Sequence, residues 1–355
     1  MSSLAGTTEK LRSVLKIGGI AGAILFGIYL FIMGGIFVKN IFFPSAPDAP
    51  EQAFGQLSEI IFEQNASPAI NYQINTVTGE LPTSLPSRML VYKLEKPRPD
   101  LLALQNSRKI ASSAGFKDAE TKISNSIYQW TNPTTNSVIK FDITSKSFEI
   151  NSNLTSNQVI LANAVIPDED RMKRYVNDFL RSLMVDLENL SYTENSIKYY
   201  NFINNTLVEA DNPFTAKLVR LSLYNNNIQN DLGDFSFVYP NPEFPLVTLL
   251  VAFPSSARMA VLGGESFNKI VSKESSDYPI KSPSSAFEDL QSGLGYLSNP
   301  NELNRIEITD VYLAYYLDKN TNEYAQPVYV FEGATAKAFV PATQYATTSA
   351  GVTSE

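Results

Sequence analysis

The sequence predicts an α+β protein in which a single N-terminal transmembrane helix is followed by antiparallel β-meander modules with packed helices. One observation behind this prediction is an uncharged apolar run at residues 17–38, long enough to cross a bilayer at about 1.5 Å per residue. The other is a pattern that recurs three times beyond the run, in which a helix-like segment precedes strand-like segments separated by turn residues. With 44% hydrophobic and 11% aromatic residues, the chain has the composition of a folded body.

Charges around the apolar run predict its orientation. Lys10, Arg12 and Lys16 precede the run, and acidic residues dominate the stretch that follows it. Because cytoplasmic flanks carry an excess of Lys and Arg, we expect a cytoplasmic N-terminus and an extracytoplasmic body at the plasma membrane. A cleaved signal peptide is the alternative. Its apolar region is normally shorter and ends in small residues, so we favour an uncleaved, single-pass signal-anchor.

Small residues inside the run lie about one helical turn apart. Gly19, Ala23 and Gly27 follow each other at intervals of four, so they share one face of the predicted helix. Such a face lets two helix backbones approach closely, which favours a homodimer through the membrane helix. The alternative is that glycine is simply frequent in membrane helices.

Composition excludes several classes of chemistry. The chain contains no His and no Cys, which excludes disulfides, thiol nucleophiles, Ser-His-Asp triads and the usual zinc sites. A net charge of −8 disfavours nucleic acid and anionic polymers as partners. The sequence lacks a phosphate-binding loop, a dinucleotide fingerprint and a calcium loop, so no cofactor is expected.

Turn-rich and low-complexity stretches divide the chain into segments. Pro44, Pro47 and Pro50 indicate a stiff spacer between membrane and body, and the Thr-, Ser- and Ala-rich end indicates a disordered tail. The pattern in the part of the chain between the spacer and the tail fits either three separate modules or one continuous α+β domain. The predicted segments are a cytoplasmic stub at 1–16, the transmembrane helix at 17–38, the spacer at 39–51, α+β modules at 52–160, 161–262 and 263–341, and the tail at 342–355.

The first module is expected to run strand, helix and meander. Asp100 is suited to cap a helix, and Gly115 is suited to end it. The predicted elements are a strand at Arg88–Leu94, a helix at 100–114, and strands at 123–131, 137–144 and around 148–150.

The second module begins with the clearest amphipathic helix of the sequence. Pro167 and the acids Asp168, Glu169 and Asp170 open it, because negative charge suits the positive end of a helix dipole. An apolar stripe at three- and four-residue spacing indicates its buried face: Met172, Tyr175, Val176, Phe179, Leu180, Leu183, Leu187 and Leu190. The strands expected after it are Ile197–Ile203, 216–224, 234–239 and 246–253.

The third module is expected to contain a short helix and a long hairpin. Pro283 suits the first turn of a helix at 282–290, and Gly293 suits its end. Pro327 lacks an amide donor, so we expect it at a strand start or on a sheet edge. The predicted strands are 305–317, 327–332 and 337–340.

Two strings in this region carry a family resemblance. Tyr-Pro-Ile at 278–280 precedes the short helix, and Ile-Glu-Ile-Thr-Asp-Val-Tyr-Leu-Ala-Tyr-Tyr at 306–316 precedes Gln-Pro-Val-Tyr-Val-Phe-Glu-Gly at 326–333. This stretch resembles PepSY-like modules and the C-terminal part of the YycH/YycI proteins, membrane-anchored extracytoplasmic regulators of a cell-wall-sensing histidine kinase. The resemblance implies a PepSY-like module at 263–341 in a non-catalytic interaction protein, and it supplies no catalytic residues.

Catalytic strings are few. Ser266 and Lys269 form an S-x-x-K, which in penicillin-recognising enzymes places the amine one helical turn from the hydroxyl. The companion S-D-N and K-T-G strings are absent, so we expect an ordinary segment. The carboxylates at 168–170 are explained by the helix start, and Glu288 and Asp289 are expected on a solvated helix face.

Tyrosines concentrate in the predicted C-terminal hairpin. Alternation places Ile308, Tyr312 and Tyr316 on one face of the long strand and Tyr315 on the other. Core packing is one interpretation, with Tyr316 in the core and Tyr315 at the more tolerant position. The alternative is an interaction face formed by Tyr312, Tyr315, Tyr316 and Tyr329, because tyrosine offers large contact area at low entropic cost.

Three hypotheses about function follow. The first is a non-enzymatic protein that binds, scaffolds or regulates another envelope or membrane protein outside the cytoplasm. The second is a solute- or glycan-binding ectodomain, which requires a concave cavity with converging polar groups. The third is a carboxylate-based hydrolase, which requires paired carboxylates with perturbed pKa values in a cleft.

Overall fold

A computed structural model describes residues 26–31, 33, 51–62, 70–98, 100–298, 305–321 and 323–344. The chain divides into two compact units, Met1–Ala49 and Pro50–Glu355. In the first unit, residues 26–31 and 33 are helical. Within the described ranges, none of the helices has the length and apolar character needed to cross a membrane. Most of the run at 17–38 lies outside those ranges, so the membrane span stays a prediction.

The second unit is an α+β body with mostly antiparallel sheets. Its helices within the described residues are α1 (Ala103–Ser113), α2 (Gln158–Ala162), α3 (Glu169–Ser182) and α4 (Pro283–Gln291), with 3₁₀ turns at Leu154–Asn157 and Pro213–Thr215. Its strands are β1 (Asn71–Ile74), β2 (Arg88–Leu94), β3 (Thr121–Lys122), β4 (Ile127–Thr131), β5 (Val138–Asp142), β6 (Phe148–Asn151), β7 (Leu190–Ser191), β8 (Ile197–Ile203), β9 (Thr206–Glu209), β10 (Leu218–Asn225), β11 (Ile228–Asn230), β12 (Gly233–Phe235), β13 (Phe237–Val238), β14 (Val247–Ala252), β15 (Ala260–Ser266), β16 (Val271–Pro279), β17 (Tyr296–Leu297), β18 (Arg305–Tyr316), β19 (Tyr324–Gly333) and β20 (Lys337–Pro341).

Two large sheets form the body. A ten-stranded sheet has the order β3-β4-β5-β6-β15-β14-β10-β8-β9, with β7 also paired to β10. An eight-stranded sheet has the order β1-β18-β19-β2-β16, with β13 on β18 and with β20 joining β19 to β17. β1 and β13 pair with β18 in parallel, which departs from the antiparallel expectation. A small hairpin, β11–β12, stands apart from both sheets.

Strand pairing crosses the predicted module boundaries. β1 and β2 precede residue 160 but join the sheet whose other strands lie after residue 236. β6, from the same predicted module, pairs with β15 in the other sheet. Strands that precede residue 160 therefore contribute to both large sheets.

Helix α3 covers one face of the ten-stranded sheet. Asp168 caps it by accepting a hydrogen bond from the Arg171 amide at 2.9 Å, which confirms the predicted helix start. The buried side chains of Met172, Val176 and Leu180 pack into a core together with β10 and β14. The helix ends at Ser182, earlier than the apolar stripe indicated, because the backbone at Met184 is left-handed (φ 63°).

Strand β18 is covered on both faces. Tyr315 packs into a core with Leu313, whereas Tyr316 packs into a separate core with Val328 and Val330. These placements confirm the predicted alternation. Ile308 lies on the opposite face from its predicted one, because the β18–β19 register shifts between Ile308 and Asp310. Such a bulge adds one residue to a strand and reverses the faces of the residues beyond it.

A segment without helix or strand, residues 51–62, covers the Tyr316 face. Phe62 meets the Tyr316 ring edge-on with centroids 5.2 Å apart. Gln326 Nε2 donates to the Ser58 carbonyl at 2.7 Å, and the Tyr278 hydroxyl donates to the Gly55 carbonyl at 2.9 Å. The strap agrees with the expectation that Tyr316 lies in a core. The expectation that Tyr315 lies on the more tolerant face is corrected by the structure, because Tyr315 is fully buried and its ring packs against Tyr92, Phe235 and Phe237.

Pro327 lies inside the sheet rather than at an edge. It is opposite Tyr315 on one side, and its carbonyl accepts from the Ala342 amide at 3.0 Å on the other. An ordinary residue at 327 would donate its own amide to the Ala342 carbonyl. That carbonyl instead accepts from the Lys281 amide at 2.9 Å, so the missing donor leaves no unsatisfied acceptor.

The start of the predicted disordered tail belongs to the fold. Ala342 is fully buried and Thr343 is 1% exposed, and Thr343 forms an antiparallel bridge with Ile280. The physical reason is the proline pairing described above, which continues β20 past Pro341. Residues 345–355, and nearly all of the predicted spacer at 39–51, lie outside the described residues.

Candidate functional site

The predicted tyrosine face is not a surface. Tyr315, Tyr316 and Tyr329 are buried, and only Tyr312 of the four predicted residues is half-exposed. The hydroxyls of Tyr315 and Tyr329 donate to the Leu90 and Lys281 carbonyls at 2.8 and 2.7 Å. The interaction-face interpretation is therefore corrected for these three residues, which hold together strands of the eight-stranded sheet and the loop before α4.

Tyr312 lines the cleft that we take as the candidate site. This Tyr312 cleft has a volume of about 680 Å³ and lies between the two sheets. One wall comes from β18, β20 and the turn before it, and the other comes from β8 and the segment that follows β12. Tyr312 and Lys337 line the first wall, and Lys198 and Glu243 line the second.

On the first wall, three polar side chains bind one another. The Tyr312 hydroxyl donates to Glu332 Oε2 at 2.8 Å, and Lys337 Nζ lies 2.9 Å from Glu332 Oε1. Lys337 Nζ also donates to the Tyr312 hydroxyl at 3.4 Å. Burial and then the Glu332 carboxylate raise the pKa of Tyr312, so its hydroxyl keeps its proton and acts as a donor at neutral pH.

On the second wall, Glu243 joins two cations. Lys198 Nζ donates to one carboxylate oxygen, and Arg220 Nη2 donates to the other at 2.8 Å. The Arg220 guanidinium lies 5.1 Å from the Tyr200 ring centroid and 4.3 Å from that of Phe244. The Lys198 hydrogen bond, with that of Arg220, lowers the pKa of Glu243, so this carboxylate stays ionised at neutral pH.

This arrangement suits binding better than proton transfer. A carboxylate that acts as general acid needs a raised pKa, whereas that of Glu243 is lowered. The charged groups are already paired within each wall, so the cleft offers oriented hydrogen-bond donors and acceptors beside aromatic rings. A volume of about 680 Å³ lies within the range of about 300–1,000 Å³ that small-ligand sites occupy.

The S-x-x-K string does not form the geometry that its chemistry needs. Ser266 ends strand β15 and is 1% exposed, and Lys269 follows in a loop rather than on a helix. Asn268 fixes this loop by donating its amide and side-chain nitrogen to Ser147 Oγ at 3.1 Å and the Ser145 carbonyl at 3.0 Å. The string is therefore a strand end and a junction between the two sheets.

Two groups at this junction have shifted pKa values. Burial lowers the pKa of Lys269, and burial followed by the charge of Glu149 raises the pKa of Glu265. Lys269 lines clefts of about 290 and 430 Å³. Glu265 lies directly opposite Glu149 across the β15–β6 pair. Partial burial of Glu265 and the like charge of the exposed Glu149 across the strand pair account for the shift without a reaction.

The other predicted residues lie away from the cleft. Asp289 of α4 is ion-paired with Lys281 at 2.6 Å, so it is partly buried rather than fully solvated. Gly27 lies in the helical stretch 26–31, and Gly19 and Ala23 lie outside the described residues. Within the described ranges, no three acidic side chains come together closely enough to hold a metal ion.

Sequence reasoning missed most of the cleft. Of the polar residues described above only Tyr312 was a candidate; Lys198, Glu243 and Lys337, which line the cleft, and Glu332, which binds Tyr312 and Lys337 beside it, were not. The alternation of β19 and β20 places Glu332 opposite Lys337 once their register is known. No local signal connects that pair with Lys198 and Glu243, because these residues are about 90 to 140 positions away from it in the chain.

Comparisons with known proteins were made for the whole chain. No known protein family matches the sequence. No curated protein matches it significantly. Among solved structures, the YpeB C-terminal domain of Bacillus megaterium is similar over 70% of this chain and 95% of that domain, with 13% identity and a TM-score of 0.30. At that TM-score the likeness carries no argument, and the PepSY-like resemblance stays a prediction.

Proposed function

We propose that this chain is a non-enzymatic binding protein of the cell envelope, anchored in the plasma membrane with its body outside the cytoplasm. Its ligand contacts the Tyr312 cleft. One observation carries the proposal: the cleft brings together two sets of paired polar side chains and several aromatic rings in about 680 Å³. Orientation of a ligand by a few fixed polar groups over an apolar surface is the general design of binding sites.

The first candidate ligand is a segment of another envelope or membrane protein, whose activity the binding would regulate. The second is a polar solute or glycan, and the size of the cleft favours it specifically. Hydroxyl-rich ligands match donors such as Lys337 and acceptors such as Glu243, and their apolar faces can pack on the ring of Tyr312. Both candidates use the same residues, so one experiment can separate them.

The test places a photoreactive benzoylphenylalanine at Ala334, an exposed residue that lines the cleft, in the full chain in its own membranes. Val77, which is fully exposed on the β1–β2 connection, is the matched control site. Irradiation should give adducts at 334 and not at 77. A protein ligand would produce a large shift on a gel, and a solute or glycan would produce a small mass increase.

Tyr312→Phe combined with Lys337→Met should lower the adduct yield at 334 about tenfold, because the removed groups hold the ligand in position. Equal adduct yields at 334 and 77, or yields insensitive to the double change, would show that the cleft is not the binding site. A chemical change in the captured ligand would contradict the non-enzymatic part of the proposal.

A further inference from the structure

The ten-stranded sheet ends in a two-stranded arm. Phe202 of this arm packs partly against a core with Leu161 and Leu218, and its Asn205 Oδ1 accepts from the Thr155 hydroxyl at 3.2 Å. β10 pairs with β8 only from Ile197 to Tyr200, and β8 then continues as a hairpin with β9. Asn204 and Asn205 form its two-residue turn with φ values of 52° and 62°. We call residues 200–209 the β8–β9 arm.

Apolar side chains are exposed on both faces of the arm. Ile203 is 51% exposed, Leu207 40% and Val208 44%. Leu207 lies opposite Phe202 on one face, and Val208 lies opposite Asn201 on the other. A two-stranded ribbon is marginally stable in water by itself, so burial of these side chains against another surface would stabilise the arm.

Within the part of the chain that the structure describes, the outer edge of β9 pairs with no further strand, and Glu209 is its only charged residue. In the hairpin register, Leu207 and Glu209 are the β9 residues whose backbone N–H and C=O groups point away from β8. Lys and Pro, which commonly block pairing at sheet edges, are absent from Thr206–Glu209. The opposite edge of the same sheet differs, because β3 is only two residues long and includes Lys122.

We propose that β9 pairs in an antiparallel manner with β9 of a second copy of this chain, which joins two ten-stranded sheets into one. A twofold axis perpendicular to the sheet would relate the two copies. Such an axis keeps each face of the sheet on its own side, so residues directly opposite each other across the two β9 strands must point to the same face. The register that fits best places Leu207 opposite the partner subunit's Leu207. Thr206 then lies opposite the partner's Val208, and Asn205 opposite the partner's Glu209.

The side chains that would lie opposite each other favour this register and a second copy of the chain as the partner. Each Glu209 meets an amide side chain, and no like charges are opposed across the strand pair. The neighbouring symmetric register, centred on Val208, would instead place Leu207 against the partner's Glu209 carboxylate. In the Leu207-centred register, the outward N–H of Leu207 donates to the carbonyl of the partner's Leu207, and its outward carbonyl accepts from the partner's amide.

The absence of natural cysteine makes the register directly measurable. In the full chain in membranes, Leu207→Cys should give a disulfide-linked dimer under mild oxidation, seen on a non-reducing gel. The two sulfurs would belong to a hydrogen-bonded pair with Cα atoms about 5.5 Å apart, within disulfide range. The matched control is Val208→Cys, similarly exposed, whose two Cα atoms would be about 8 Å apart from strand rise and spacing. We expect at least a fivefold higher dimer yield from Leu207→Cys.

A second crosslinking experiment uses different cysteine positions, so that a folding defect caused by Leu207→Cys cannot decide the result. Copies with Thr206→Cys and copies with Val208→Cys, expressed together, should crosslink to each other. Adding Leu207→Lys to both should abolish that product, because two lysines would then face each other. Equal yields from Leu207→Cys, Val208→Cys and a distant Val77→Cys would indicate random collision and overturn the proposal. So would crosslinking of Leu207→Cys to a different protein, and dimers from Val208→Cys alone would overturn the register.

Discussion

Tyr315 and Tyr316 are neighbours in β18, yet their rings lie in two separate cores. The Tyr315 hydroxyl donates to the Leu90 carbonyl, and its ring packs edge-on against Tyr92 with centroids 5.4 Å apart. The Tyr316 ring packs under Phe62 of the strap on the other side of the strand. Both residues are 2% exposed or less, so β18 is a central layer of the body.

We therefore expect Tyr315→Ala and Tyr316→Ala to destabilise the protein to a similar extent. Removing a large buried aromatic side chain leaves a cavity and lowers the free energy of unfolding by about 3–5 kcal/mol. Urea unfolding can be followed by the fluorescence of Trp130, the single tryptophan, which is buried in the ten-stranded sheet. Val77→Ala, at a fully exposed position, should change little. If Tyr315→Ala were as mild as this control, the Tyr315 face would not be a core.

How much the sequence predicts can be judged on the same strand. Alternation assigns the faces of Tyr312, Tyr315 and Tyr316 correctly, because that pattern is local. The misplacement of Ile308 came from a bulge, and the missing strap came from residues 51–62, whose contacts are more than 200 positions away. The helix start at Asp168 was also predicted correctly, because the residues that indicate a helix start lie next to one another in the sequence.

Asp168→Ala tests the start of α3, where the sequence predicted acidic residues and the structure shows that Asp168 is the N-cap. The side chain accepts from the Arg171 amide, and its loss should lower the free energy of unfolding by about 1 kcal/mol. Asp168→Asn retains an acceptor and should recover most of that loss. Urea titration of both variants provides the measurement, and equal destabilisation by Asn and Ala would mean that charge rather than the cap matters.

The orientation of the N-terminal segment is a prediction that rests on sequence alone. Because Lys10, Arg12 and Lys16 precede the apolar run, a reporter that works only in the cytoplasm should be inactive when fused after Glu355. The same reporter fused ahead of residue 1 should be active. Activity at the C-terminal fusion would reverse the orientation and remove the extracytoplasmic part of the proposed function.

Glu265 is a half-buried carboxyl directly opposite Glu149, and it should limit stability at neutral pH. Burial and the Glu149 charge raise its pKa, so the folded state binds the proton more tightly than the unfolded state does. The free energy of unfolding is then retained below the unfolded value of about 4.3 and falls as the pH rises through the folded pKa.

Glu265→Gln removes this penalty and should raise the Tm by about 2–4 °C at pH 7.5. The gain should shrink as the pH falls and be small at pH 4, where most of the wild-type carboxyl is protonated even in the unfolded state. Glu80→Gln, at an exposed loop position, should show no such pH-dependent gain. Thermal unfolding at both pH values measures the effect. A loss of stability at neutral pH would mean that the Glu265 charge is favourably bound, and that the junction around Lys269 should be reconsidered as a site.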